Sequence, residues 1–180
     1  MRNPGNTHGL TPVKKLVLSA MFLALGLVLP FFTGQIPEIG SMLLPMHIPV
    51  LLCGLVCGPI LGLICGIFTP VLSSLITGMP GPAYLPSMIC ELAVYGLLAG
   101  AMIKLIKTEK PLVNLYASLI TAMIGGRIVY GLMNALIFRA GAYSIQMWMT
   151  ASFVTALPGI ILQLLLLPAV VYALQKAKLA

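Results

Sequence analysis

Charge is scarce in this sequence. Ten basic and three acidic residues are all that 180 positions carry, 7% of the chain, where a soluble domain has roughly 25%. A soluble fold of this size needs a polar skin, and thirteen charged side chains cannot supply one. That excludes a soluble enzyme, a nucleic-acid module and a disordered chain. Aromatics are few as well, at 7%, with one tryptophan. No G-x-x-x-x-G-K-[ST] phosphate loop occurs, so these residues hold no nucleotide-driven motor of that kind. No C-x-x-C pair occurs either. Cys53, Cys57, Cys65 and Cys90 all lie in apolar stretches and read as small packing residues, with no disulfide and no metal site expected.

What is present is apolar surface. Hydrophobic residues make up 60% of the chain, and the mean hydropathy is +1.10. That is material for about six spans of ~20 residues, an all-α integral membrane protein. A polar, flexible segment 1–13 comes first. A single membrane domain over 14–176 and a short tail, 177–180, follow. The first span is the apolar run Leu16 to Phe32 behind Lys14 and Lys15. It has no small-residue cleavage site and reads as a retained helix. A loop, 33–44, contains Gly34, Pro37, Glu38 and Gly40. The second span, Pro45 to Cys57, rises only ~20 Å and needs neighbours to shield its ends. Gly58-Pro59 separates it from the third, Ile60 to Thr77, which the Gly78–Pro82 turn closes. The fourth runs from Tyr84 to Ile106 and the fifth from Leu112 to Phe138. After a loop from Arg139 to Ser144, the sixth runs from Ile145 to Leu174, with kinks expected near Pro158-Gly159 and Pro168.

Six spans put both termini on one side. Arg2, Lys14, Lys15, Lys104, Lys107, Lys110, Lys176 and Lys178 fall on that side, and only Arg139 falls in the opposite loops. The positive-inside rule makes the termini cytoplasmic, so the net charge of +7 is a topological signal and not a nucleic-acid surface.

An ionisable side chain within a span costs roughly 2.5–3.5 kcal/mol on insertion scales and marks function by default. His47, Glu91 and Arg127 all fall in the outer half, and none falls in the inner half. Arg127, Tyr130, Gly131, Asn134 and Phe138 form one stripe on the fifth span. Glu91 and Tyr95 share a face of the fourth. Gln146 and Trp148 begin the sixth, with Thr155 and Gln163 deeper. These positions outline a polar pocket open to the outside, lined by the fourth, fifth and sixth spans. Each has a plainer reading: a structural Glu91–Arg127 ion pair, Trp148 and Tyr143 as interfacial anchors, His47 as a helix cap. Arg127 suits a carboxylate or phosphate, and Glu91 a hydroxyl or amino-pyrimidine. If the two pair with each other, neither selects charge.

Two features carry a resemblance. Ala20-x-x-x-Ala24 allows close helix approach in the first span. The run His47-Ile48-Pro49-Val50-Leu51-Leu52-Cys53-Gly54-Leu55-Val56-Cys57-Gly58-Pro59 is the more specific one. With the size and the six spans, the chain over 14–176 resembles the substrate-binding S component of an energy-coupling factor (ECF) transporter, a vitamin importer of the prokaryotic plasma membrane. The resemblance implies a bundle with a short second helix, no catalysis and no cofactor in this chain. It implies capture of a small water-soluble vitamin or precursor from outside, with pantothenate, a pyridoxine-type vitamin and hydroxymethylpyrimidine all open. It implies partnership with a transmembrane T component and two ATP-binding cassette ATPases. Ala20 and Ala24 would pack on the T component, the 33–44 loop would act as a lid, and the loaded subunit would topple to deliver its ligand. An inner half almost free of buried charge suits that reorientation. His47, Glu91, Tyr95, Arg127, Tyr130, Asn134, Gln146 and Trp148 are the candidate substrate-binding residues. The rival readings are a self-sufficient small secondary transporter, a small intramembrane enzyme and a structural subunit. The first lacks an inverted repeat. The second lacks a base for Ser73 or Ser74.

Overall fold

The computed structural model describes residues 10–32, 40, 42–106, 108–138 and 143–177. The described chain is all-helical. The helices are α1 (Pro12–Phe32), α2 (His47–Cys57), α3 (Pro59–Thr77), α4 (Leu85–Leu105), α5 (Pro111–Met133), α6 (Ile145–Met149) and α7 (Leu157–Lys176). Two π-helical segments, Asn134–Phe138 and Thr150–Thr155, continue α5 and α6. Five stretches are long and apolar enough to cross a membrane: α1, α3, α4, α7, and α5 with its extension to Ile137; α2 is a shorter apolar helix.

Local chemistry sets the helix ends. α1 begins at Pro12, earlier than the apolar run, because the Thr11 hydroxyl accepts from the Lys14 N–H (3.4 Å) and Pro12 has no N–H to leave unpaired. Lys14 and Lys15 therefore lie inside the helix, and Leu10 is buried. Residues 1–9, most of the segment expected to be flexible, lie outside the described residues, as do Lys107, Arg139, Lys178 and most of the 33–44 loop. At the break between α2 and α3, Gly58 takes φ 106°, which a side chain would oppose, and Pro59 opens α3. The expected single sixth span is instead divided. α6 is capped by Ser144, whose hydroxyl accepts from the Met147 N–H (3.2 Å); it widens into the π segment and yields to α7 beyond Ala156. Pro158 sits in the first turn of α7, where its missing N–H costs nothing.

α2 occupies the centre. All of its 11 residues are buried, the arrangement a helix of ~16 Å needs in place of full contact with lipid. α4 packs against α2, α3 and α5, α1 closes over α2 and α3, and α7 meets α2 and α5. Glycines bring α3 and α4 together. A Cβ at Gly62 would stand 2.5 Å from the Gly96 carbonyl oxygen, and one at Gly100 would stand 2.5 Å from the Pro59 nitrogen. These pairings run in opposite order along the two helices, so α3 and α4 are antiparallel. Direct backbone approach of this kind is how membrane helices gain dispersion contact without a hydrophobic driving force. Large apolar side chains remain exposed around the outside, among them Val17, Met21, Phe68, Ile120, Ile128 and Leu165. On a soluble protein such a belt would promote association.

Candidate functional site

Three buried ionisable groups meet near the N-terminal ends of α2 and α4. His47 is the first residue of α2. Glu91 and Tyr95 lie one turn apart on α4, and Arg127 faces them from α5. The Arg127 Nη1 to Glu91 Oε1 distance is 3.0 Å, and His47 Nε2 is 3.6 Å from the same oxygen. The His47 ring stands edge-on to Tyr95, centroids 5.1 Å apart at 81°. The Tyr95 phenol lies within electrostatic range of both Glu91 and Arg127. Exposure is 1% for His47, 3% for Glu91, 1% for Tyr95 and 5% for Arg127. A Cβ at Gly126 would stand 2.9 Å from the Tyr95 ring, so a glycine there is what lets the ring lie against α5, one residue before Arg127.

A second layer adjoins this cluster through α5. The Trp148 indole N–H donates to the Arg127 carbonyl (2.8 Å), and its ring meets Phe153 edge-on at 5.5 Å. It lies over Gly131, where a Cβ would stand 2.5 Å from Nε1. Trp148 is thus a pin between α6 and α5. Asn134 is wholly buried two turns beyond Arg127, its amide donating to the Tyr130 carbonyl (2.8 Å). Tyr130 is half-buried and in electrostatic range of Arg127.

The arrangement leaves much hydrogen-bonding capacity unused. Both His47 ring nitrogens, Arg127 Nε and Nη2, Asn134 Oδ1, Ser152 Oγ and both amide atoms of Gln163 are buried without a hydrogen-bond partner. Most buried polar groups in proteins are satisfied, and each that is not costs about 1–3 kcal/mol. Of this set, the nitrogens of His47 and Arg127 are the ones that the contacts to Glu91 bring together.

The geometry departs from the expected outline in three respects. The cluster is closed over by protein, not open. The second helix contributes to it directly, since His47 is a buried member and not a cap; Met46 holds the cap position. Gln146 is exposed, lining an open groove with Ser144, Met147, Thr150, Ala151 and Thr155, outside the buried cluster. Gln163 and Ser152 join the unsatisfied set. An amide in the apolar run of α7 was visible in the sequence, whereas Ser152 had no signal to set it apart from other helical serines. Ala20 and Ala24 are exposed on α1, whose buried residues are Leu18, Ser19, Phe22, Gly26 and Pro30. Of the 33–44 loop, residues 33–39 and 41 lie outside the described residues. The backbone of Met42 and Leu43 lies close against Gly159 of α7.

Chemically, the cluster offers one carboxylate, one guanidinium and one imidazole, with no nucleophile set against a base among the described residues. The serines that might have served are engaged elsewhere. Ser73 Oγ donates to the Met79 carbonyl (2.7 Å) and Ser74 Oγ to the Pro80 carbonyl (2.9 Å), holding the turn after α3. The cysteine thiols are free, three buried and Cys90 half-buried.

Comparison with curated proteins and with solved structures returns no match. A family model does match, over residues 14–171, and it describes the substrate-specific component of ECF transporters. The match spans nearly the whole helical bundle, from the lysines that open α1 to the last buried residue of α7. A membrane bundle with a buried, partly unsatisfied polar cluster agrees with that description, and the chain belongs to the ECF transporter substrate-specific components.

Proposed function

We propose that this chain is the capture subunit of an ATP-driven importer. It takes a small water-soluble vitamin or precursor from outside and delivers it inward with a transmembrane T component and two ATP-binding cassette ATPases. The observation that carries this reading is the set of unsatisfied nitrogens on His47 and Arg127, which meet at Glu91. In this proposal His47, Glu91, Tyr95, Arg127, Tyr130, Asn134 and Trp148 form the ligand site. Gln146 lies at its outer approach.

The chain crosses the plasma membrane six times, counting the short α2, with both termini cytoplasmic. Lys14, Lys104, Lys110 and Lys176 then lie at one membrane face, as the charge asymmetry requires. The exposed Ala20 and Ala24 dock on the T component, where small side chains permit close backbone contact. Pairing Glu91 with Arg127 lowers the cost of moving the site through the membrane, because the pair carries no net charge.

Reconstitution tests the whole reading. The chain alone in vesicles is expected to bind ligand at 1:1 stoichiometry without accumulating it. Accumulation is expected only when the T component, both ATPases and ATP are present. Uptake by the chain alone would favour a secondary transporter instead.

A further inference from the structure

We infer that the ligand is a monocarboxylate held side-on by Arg127, both of its oxygens accepting from Nε–H and Nη2–H. This rests on the capture-subunit reading and specifies the chemistry of its substrate.

The argument begins with the edge of the guanidinium that Glu91 leaves unused. Glu91 meets Nη1, at 3.0 Å. Nε and Nη2 are buried with no hydrogen-bond partner. By the geometry of the group, Nη1 lies on the side of Cδ, and Nε–H and one Nη2–H point in parallel from the opposite edge. That edge is a two-pronged donor, and its best complement is a pair of coplanar oxygens on one carbon. Ion pairing with Glu91 therefore neutralises Arg127 without consuming its selective face.

Charge then selects among acceptors. Among the described residues, Glu91, Arg127 and His47 are the buried acidic or basic side chains. Glu91 already offsets Arg127. A monocarboxylate adds one negative charge to that neutral pair, and a dianionic phosphate would add two, at a greater cost in an apolar bundle. A single carboxylate fits the fork at the smaller charge cost.

The rest of the unsatisfied set describes the remainder of the ligand. Asn134 Oδ1 accepts, and the Gln163 amide and Ser152 hydroxyl both donate and accept. Gln163 is carried by α7, which packs against the helices bearing His47 and Arg127. The nearby rings are already engaged: Tyr95 by His47 and Gly126, Trp148 by the Arg127 carbonyl and Phe153. The site thus favours a compact acid bearing hydroxyl or amide groups over a large flat ring system.

The test uses matched ligands and the full chain in nanodiscs, followed by titration calorimetry. The probes are pantothenate against pantothenyl alcohol, nicotinate against nicotinamide, and biotin against biotinamide, together with the carboxylate-free pyridoxine, hydroxymethylpyrimidine, thiamin and riboflavin. One acid is expected to bind at 1:1, with its neutral counterpart weaker by at least about 100-fold, because the buried fork loses its acceptors. Arg127→Lys keeps a cation beside Glu91 but has no fork, and is expected to weaken that acid at least about tenfold. Equal affinity for an acid and its neutral counterpart overturns the inference. So does tight binding of a carboxylate-free probe, which would leave the capture function standing. No binding by any probe to folded protein overturns both.

Discussion

Removing Arg127 should expose how much of this bundle rests on one ion pair. In Arg127→Ala, Glu91 stays at 3% exposure with its main counterion gone. At 3.0 Å the attraction between two unit charges is about 5–6 kcal/mol at an effective dielectric constant of ~20. Desolvation of both groups offsets most of that in the intact pair, and the penalty for Glu91 remains when its partner leaves. Breaking a buried pair from one side costs about 3–5 kcal/mol. His47, 3.6 Å from the same oxygen, can relieve part of it, so the lower end of that range is expected. The double variant Glu91→Gln/Arg127→Met has no charge left to strand. It should recover to within about 1–2 kcal/mol of the wild type, yet bind no ligand. The assay is thermal unfolding of the wild type, both single variants and the double variant at fixed detergent concentration, with ligand titration alongside. Arg127→Ala should melt several degrees below the wild type, with the double variant above it. Arg127→Ala melting with the wild type would refute the argument, as would a double variant no more stable than the single.

Two further predictions concern the pin and the docking face. Gly131→Ala should push the Trp148 indole off the Arg127 carbonyl, since the added methyl would lie 2.5 Å from Nε1. Trp148 is the sole tryptophan, so a shift in intrinsic fluorescence, with ligand affinity weakened by at least about 1.4 kcal/mol or tenfold, reads the change directly; an unchanged spectrum would contradict the pin. Ala20→Trp and Ala24→Trp should abolish capture of the chain by the T component while ligand affinity holds. Loss of ligand binding with assembly intact would place those alanines elsewhere in the mechanism.

Several elements were legible because their causes are local. Transfer of a ~20-residue apolar run into lipid depends on that run alone, so the long helices appear where hydropathy puts them. The shortness of α2 was equally plain from Gly58-Pro59, and its need for shielding followed from its length. The start of α1 was misjudged by hydropathy because the Thr11–Pro12 cap, not the apolar run, decides it. The division of the last span escaped because α6 and its π segment hold no glycine or proline to mark a break, and only the Pro158 position hinted at a fresh start. Glu91, Arg127 and His47 stood out as costly residues at one depth. Nothing in their spacing distinguished a mutual pair from separate ligand contacts.

By itself, then, the sequence determined the class of molecule, the long apolar helices and the face of α1 that bears the alanines, since each is a property of one helix in an apolar solvent. Tertiary structure decided which groups meet. Contact between Glu91 and Arg127 depends on how α4 and α5 are rotated about their own axes, and the Trp148 pin depends on a short helix arriving over Gly131. The glycine contacts of α4 with α3, and of α5 with the Tyr95 ring, set those relations at the scale of a single missing methyl group. The unpartnered edge of Arg127 is a consequence of that packing: two charges brought together at one nitrogen leave the other two buried without a hydrogen-bond partner.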